Sequence, residues 1–131
     1  MTKKLSIVIP AYNEAATIHS ILDKIISVNL IENLTKEIII VNDFSKDDTV
    51  GIVEKYIKIN SSHNIRIFSQ EKNKGKGAAL RKGIELATGD LLIIQDADLE
   101  YDPEEYNILL RPALDGFADV VGPGGYDAEH G

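Results

Sequence analysis

A chain of 131 residues, 44% hydrophobic and 27% charged, has the length and composition of one soluble globular domain with a real core. Its formal net charge of −7 excludes nonspecific nucleic-acid binding, which needs a basic face, so an anionic ligand has to be held by local cations, backbone N–H groups or a metal. The absence of cysteine excludes disulfides and thiolate metal sites and agrees with a cytoplasmic setting; no apolar stretch approaches a membrane span, and the run ending at Pro10 is too short for a signal-peptide core.

The run Leu5-Ser6-Ile7-Val8-Ile9 predicts a first strand. Ile18, Ile21, Leu22, Ile25 and Ile26 then form one stripe of a helix, with Asn13 as N-cap and Glu14 in the first turn. A second strand covers Glu37-Ile38-Ile39-Ile40-Val41. Ser45-Lys46-Asp47-Asp48 reads as a variant capping box, opening a helix that turns Val50, Val53, Tyr56 and Ile57 inward. A third strand covers Asn64 to Phe68, and a third helix runs from about Lys76 to Ala87, ended by Thr88-Gly89. A fourth strand covers Asp90 to Ile94, a fourth helix starts near Pro103, and a fifth strand covers Ala118 to Val121. The second and fourth runs are almost wholly apolar, as strands covered on both faces should be. The alternation predicts an α/β fold: a mostly parallel open sheet with helices on both faces, over residues 1–121. Residues 122–131 hold four glycines and a proline and are expected to be an irregular tail.

Ligands of open α/β sheets bind beyond the carboxyl ends of the strands, so the polar residues after each run matter most. After the fourth run comes Asp96-Ala97-Asp98-Leu99-Glu100. In an extended segment its three carboxylates share a face and repel one another unless a cation joins them. A hard divalent ion, Mg2+ or Mn2+, fits such oxygen ligands; the alternative is a solvated acidic loop capping the helix at Pro103. Lys74-Gly75-Lys76-Gly77 follows a strand and opens a helix. Glycines there admit close approach of a phosphate, whose charge the helix N-terminus favours, and the alternative is a basic surface turn. It matches neither a P-loop nor a dinucleotide fingerprint. Asp43 is available to accept from a base or ribose, or to serve helix entry beside Ser45. Tyr12 is available to stack on a base or to close the core. His19, His63 and His130 are scattered and read as surface residues.

Taken in order, Ile9-Pro10-Ala11-Tyr12-Asn13-Glu14, Val41-Asn42-Asp43-Phe44-Ser45-Lys46-Asp47-Asp48-Thr49, Asn73 to Ala79, Ala87 to Asp90 and Gln95 to Asp98 resemble glycosyltransferase family 2 across about residues 4–121. Within it, Asp96 to Glu100 is most similar to the polyprenyl- or dolichyl-phosphate mannose or glucose synthases. The resemblance implies the nucleotide-binding half of a GT-A, Rossmann-like fold. It implies that Pro10, Tyr12, Glu14, Val41 and Asp43 line a nucleotide pocket, beside the anion-binding Lys74, Gly75 and Lys76. It further implies that Asp96 and Ala97 contact the nucleotide sugar, that Asp96 and Asp98 are the catalytic carboxylates, and that Asp98 and Glu100 hold the metal. The activity implied is inverting transfer from a GDP- or UDP-sugar to an acceptor such as a lipid phosphate or a glycan, which for a lipid acceptor places the protein at the membrane periphery.

Two departures stand out. Asn42-Asp43-Phe44-Ser45 replaces the family's commoner Asp-Asp-Gly-Ser, and Gly122-Pro123-Gly124-Gly125 stands where an arginine-bearing segment is usual. The chain also stops about a hundred residues short of a typical catalytic domain. The expectation is therefore a shortened chain, with the acceptor site and any general base in the absent part and an apolar face open to a second copy in a homodimer. The competing readings are a non-catalytic nucleotide-sugar-binding module of the same fold and, more distantly, a flavodoxin-like receiver domain, whose acidic pair would follow the first strand.

Overall fold

The computed structural model describes residues 3–97, 102–115 and 120–121. The tail at 122–131, the acidic positions Asp98 and Glu100, and the first half of the fifth strand lie outside them. In chain order the elements are β1 (Lys4–Ala11), α1 (Ile18–Ser27), β2 (Thr35–Asn42), α2 (Thr49–Ile59), β3 (Ile65–Ser69), α3 (Lys76–Leu86), β4 (Leu91–Ile94), α4 (Tyr106–Leu114) and β5 (Val120–Val121), with 3-10 turns at Ile31–Asn33 and Pro103–Glu105. The strands pair in the order β3-β2-β1-β4-β5, and every pairing is parallel.

Side chains alternate across the sheet even where the sequence is continuously apolar. Leu5, Ile7, Ile9 and Ala11 of β1, Ile38 and Ile40 of β2, and Leu91 and Ile93 of β4 face a thick layer. There they meet Ile18, Ile21, Leu22 and Ile25 of α1, Val53 and Tyr56 of α2, and Tyr106 and Leu110 of α4. Val8, Leu92, Ile94, Ile39 and Val41 face the other way, onto α3. Helices thus cover both faces. On the α3 side the contact is very close: a Cβ on Gly83 would lie 2.2 Å from Val8 Cγ1, so only glycine lets this helix sit so low on β1.

Of the α1 stripe, Ile18, Ile21, Leu22 and Ile25 are buried as the spacing predicts, and Ile26 is half-buried at its edge. The helix starts differ. Asn13 does not cap α1, which begins at Ile18 after Thr17; Asn13 adopts a left-handed φ of 55° and bonds another loop. The α2 start is not a capping box either. Asp47 Oδ1 accepts from the Thr49 N–H at 3.0 Å and from its hydroxyl, so an Asx-type turn satisfies the first turn in place of the reciprocal pair. Pro103 opens a 3-10 turn ahead of α4, with Asp102 accepting from the Glu104 N–H at 3.0 Å.

One buried charge lies under the far end of α3. Glu37 of β2, 3% exposed, accepts from Ser6 Oγ at 2.6 Å, the Thr88 N–H at 2.8 Å and Thr88 Oγ1 at 2.7 Å. Lys4 and Arg66 lie 3.9 and 3.5 Å away, and Arg66 also donates to the Leu86 carbonyl at 3.0 Å. Burial alone would push the Glu37 carboxyl up. The hydrogen bonds from Ser6 and Thr88 and the charge of Lys4 outweigh it and hold the group below the ordinary carboxylate range.

Replacing Glu37 by Ala is expected to cost roughly 2–3 kcal/mol in urea unfolding, because it leaves buried donors without their acceptor. The folded-state pKa is depressed, so this stabilisation is present above the unfolded-state value and lost as pH falls through the folded one. Glu37→Gln should therefore flatten the acid limb of the stability profile below the ordinary carboxylate range; an unchanged limb would assign it to other carboxylates.

Candidate functional site

A parallel sheet sends every strand exit to one edge, and here the direction of travel reverses between β1 and β4. Above that point lies a cavity of about 310 Å3, lined by Pro10, Ala11, Tyr12 and Glu14 after β1, Asp43 after β2, Asn73, Gly75, Lys76 and Ala79 at the start of α3, and Asp96 and Ala97 after β4.

The loops after β1 and β2 are stitched together. The Asn13 N–H donates to Ser45 Oγ at 2.9 Å and the Lys46 N–H returns a bond to Asn13 Oδ1 at 2.8 Å. The Glu14 N–H donates to Thr49 Oγ1 at 2.9 Å, and the Ala15 N–H to Asp47 Oδ2 at 3.1 Å. The Thr49 hydroxyl and the nearby N–H groups hold the Asp47 carboxyl below its usual range. This lattice presents the Tyr12 ring, 41% exposed, over the cavity. Tyr12 is therefore not a core-closing residue.

Asp43 ties the second exit to the third. It is 4% exposed, and its two carboxylate oxygens accept from the Lys74 N–H at 2.8 Å and the Gly75 N–H at 2.9 Å. Its own N–H donates to the Ala11 carbonyl at 2.9 Å. The chain can then turn into α3 only through Gly75, whose φ of 92° and ψ of 163° lie in a region essentially reserved for glycine. Among the described residues no side chain caps α3, whose leading N–H groups lie at the cavity wall.

At the fourth exit, Asp96 meets a cation from across the cavity: Lys76 Nζ lies 2.6 Å from Asp96 Oδ1. The expected repulsion in the acidic loop is thus relieved at its first member by a lysine. The backbone behind Asp96 is held from two sides. Gln95 Nε2 donates to the Asp96 carbonyl at 3.0 Å, and Gln95 Oε1 accepts from Tyr106 Oη at 2.6 Å. Thr17 Oγ1 lies 2.6 Å from the Ala97 carbonyl and 3.2 Å from Glu14 Oε2, and its single proton serves the nearer carbonyl.

Of the residues marked in the sequence, Pro10, Tyr12, Glu14, Asp43, Gly75, Lys76, Asp96 and Ala97 line the one cavity. Val41 and Lys74 do not. Val41, one residue short of the strand end, is buried with Ile39 and Ala79 beneath α3. Lys74 contributes its N–H to Asp43, but its side chain lines a separate cavity of about 330 Å3 with Phe68 and Arg81. Asp98 and Glu100 fall outside the described residues, and among the described residues no group of three or more acidic or histidine side chains is poised for a metal. Sequence reasoning missed Thr17, Asn73, Ala79 and the Gln95–Tyr106 pair. For Gln95 a signal existed: a polar residue directly ending a buried strand needs a buried partner.

The family model described as Glycosyl transferase family 2 matches residues 6–130. The chain is 37% identical over 120 residues to an undecaprenyl-phosphate 4-deoxy-4-formamido-L-arabinose transferase of Yersinia pestis (strain Pestoides F), covering 92% of this chain and 36% of the relative. It is 38% identical over 109 residues to a dolichyl-phosphate beta-glucosyltransferase of Dictyostelium discoideum, covering 79% of this chain and 33% of that one. It therefore spans about a third of the length of these relatives. Among solved structures, it is similar in fold to a mannosyltransferase from Pyrobaculum calidifontis in complex with GDP-Man and Mn2+, with a TM-score of 0.79 and 22% identity over 90% of this chain and 34% of that chain. It is also similar to glucosyl-3-phosphoglycerate synthase from Mycobacterium tuberculosis in complex with Mn2+, UDP and glucosyl-3-phosphoglycerate, with a TM-score of 0.67 and 31% identity over 87% of this chain and 40% of that chain.

Gly75→Ala is expected to destabilise the chain by roughly 1–3 kcal/mol through backbone strain, since among the described residues no atom beyond its chain neighbours lies within 4 Å of the added Cβ. Asp43→Asn should loosen the same corner, because its amide group cannot accept from both N–H groups. Hydrogen exchange at residues 74 and 75 reads the loosening, and protection equal to wild type would remove the carboxylate from this role.

Proposed function

Because the chain belongs to glycosyltransferase family 2, we propose that its cavity binds a nucleotide-diphosphate sugar and forms the donor side of a metal-dependent inverting transfer to a lipid phosphate. The observation that carries this reading is the convergence of an aromatic ring, a phosphate-compatible helix start and a carboxylate–lysine pair on one cavity at the switch point of the sheet.

Each part has a role in that reading. Tyr12 stacks on the base, with Pro10 and Asp43 beside it. Lys76 and the start of α3 face the diphosphate. In a chain of net charge −7, Lys76 is the cation that lines this cavity. Asp96 and Ala97 meet the sugar. An acceptor oxygen attacks the anomeric carbon from the face opposite the diphosphate, the bond from that carbon to the diphosphate oxygen breaks, and charge grows on the leaving group.

The donor chemistry of the acidic loop fits a hard divalent ion: its polar side chains offer only carboxylate oxygens. Asp98 and Glu100 are the residues proposed to hold Mg2+ or Mn2+. When bound, the ion supplies Lewis-acid stabilisation of the charge on the leaving diphosphate. The complexes of the Pyrobaculum and Mycobacterium proteins with Mn2+ support this assignment. The names of the bacterial and Dictyostelium relatives support a polyprenyl-phosphate acceptor. Among the described residues no helix is long and apolar enough to cross a membrane.

A thermal-shift panel of UDP, GDP and their sugars, with and without Mn2+, tests the reading. One nucleotide diphosphate with Mn2+ should stabilise the chain, by about 2.7 kcal/mol at a hundred times its Kd. Asp98→Ala should remove the metal-dependent part, and Lys76→Ala should weaken the diphosphate much more than the parent nucleoside. A panel with no shift at any nucleotide would overturn the donor-site reading of the cavity.

A further inference from the structure

Tyr106 is fully buried in the first turn of α4, on the opposite face of the sheet from α3. Its ring accounts for packing, which a phenylalanine would supply equally well. Its hydroxyl does not belong to an apolar layer and must be satisfied there. Burial, reinforced by the charge of Asp102, keeps the phenol protonated, so it acts as a donor.

That proton goes to Gln95 Oε1 at 2.6 Å. The two ends of an amide are fixed relative to each other, so a donor on Oε1 decides which way Nε2 points. Here Nε2 points to the Asp96 carbonyl, at 3.0 Å. The Gln95 N–H continues the sheet by donating to Val8 at 2.9 Å, and Thr17 holds the next carbonyl, that of Ala97. The turn that begins the acidic loop is therefore anchored to β1, to the segment before α1 and to α4.

We infer that Tyr106 is a positioning residue for the cavity: through the Gln95 amide it sets the backbone of the Asp96–Ala97 turn and so the direction in which the Asp96 carboxylate enters the cavity. The inference rests on the proposed nucleotide-sugar reading for its consequence but not for its geometry. A buried polar chain is an inefficient route to stability where apolar packing would serve, and this one ends on the backbone of a cavity-lining residue.

The test uses the 131-residue chain with Tyr106→Phe, Gln95→Met and a control of purely structural effect, Leu110→Ala, which empties a buried site on the same helix. Two readouts are taken: hydrogen exchange at the main-chain amide of Gln95, which donates to Val8 at the entry to the turn, and calorimetric affinity for UDP or GDP in the presence of Mn2+. Tyr106→Phe is expected to speed exchange at that amide about tenfold and weaken nucleotide binding about tenfold. Leu110→Ala should lower the melting temperature at least as much while leaving both readouts near wild type. Should Tyr106→Phe fail to fold, Gln95→Met is expected to give the same pair of changes. Exchange and affinity that move no more in Tyr106→Phe or Gln95→Met than in Leu110→Ala would overturn the inference. If the wild-type chain bound neither nucleotide, the proposed function would fall on that result, and the exchange measurement would still decide the role of Tyr106.

Discussion

The Asp43 carboxylate, buried and accepting from two consecutive amides, is the interaction on which the cavity depends. A parallel sheet brings several strand exits to one edge, where each leaves backbone groups without ladder partners. Asp43 satisfies the amides of the third exit from the end of the second strand, while its own N–H takes up the carbonyl of the first. Three exits are thereby locked in one arrangement. The left-handed corner at Gly75 and the orientation of α3 follow from it, because the chain leaving those two amides has one way into the helix.

Charge distribution follows the same logic. The chain is acidic overall, yet the cavity faces the start of a helix and a lysine. Lys76 reaches the first residue of the acidic loop and neutralises it locally, joining the α3 wall to the β4 wall. The ion pair is partly open to solvent, with Asp96 32% and Lys76 61% exposed, so its contribution to stability is small. Its significance is placement: it holds a cation beside carboxylate oxygens at the site proposed for a diphosphate and a divalent ion. The buried Glu37 cluster differs in kind. It lies under the C-terminal end of α3, where its partners are Ser6, Thr88, Lys4 and Arg66, and it fastens the helix to the sheet without touching the cavity.

Much of this was legible in the residues. The α1 stripe and the fully covered second and fourth strands follow from apolar spacing, which the burial demand of a two-faced sheet enforces. The ordered loop motifs brought eight of the marked residues to one cavity, because a parallel sheet leaves strand exits no other edge to occupy. The local capping pattern was misleading at both helix starts. Asn13 and Ser45 had the right chemistry for caps, but each found a stronger use bonding the other's loop, and tertiary pairing overrode the local preference.

The sequence by itself determined the alternation of elements, the two-sided sheet and the edge at which chemistry gathers. Those depend on periodicity and on the few right ways to bury it. Only the tertiary structure decided that Asp43 is spent on the Lys74 and Gly75 amides, that Lys76 rather than a neighbour reaches Asp96, that Val41 and Lys74 stand away from the cavity, and that Tyr106 is joined to Asp96 through Gln95. Each is a contact between residues on different elements. Its geometry comes from how helices and loops settle on the sheet, and no spacing along the chain encodes that.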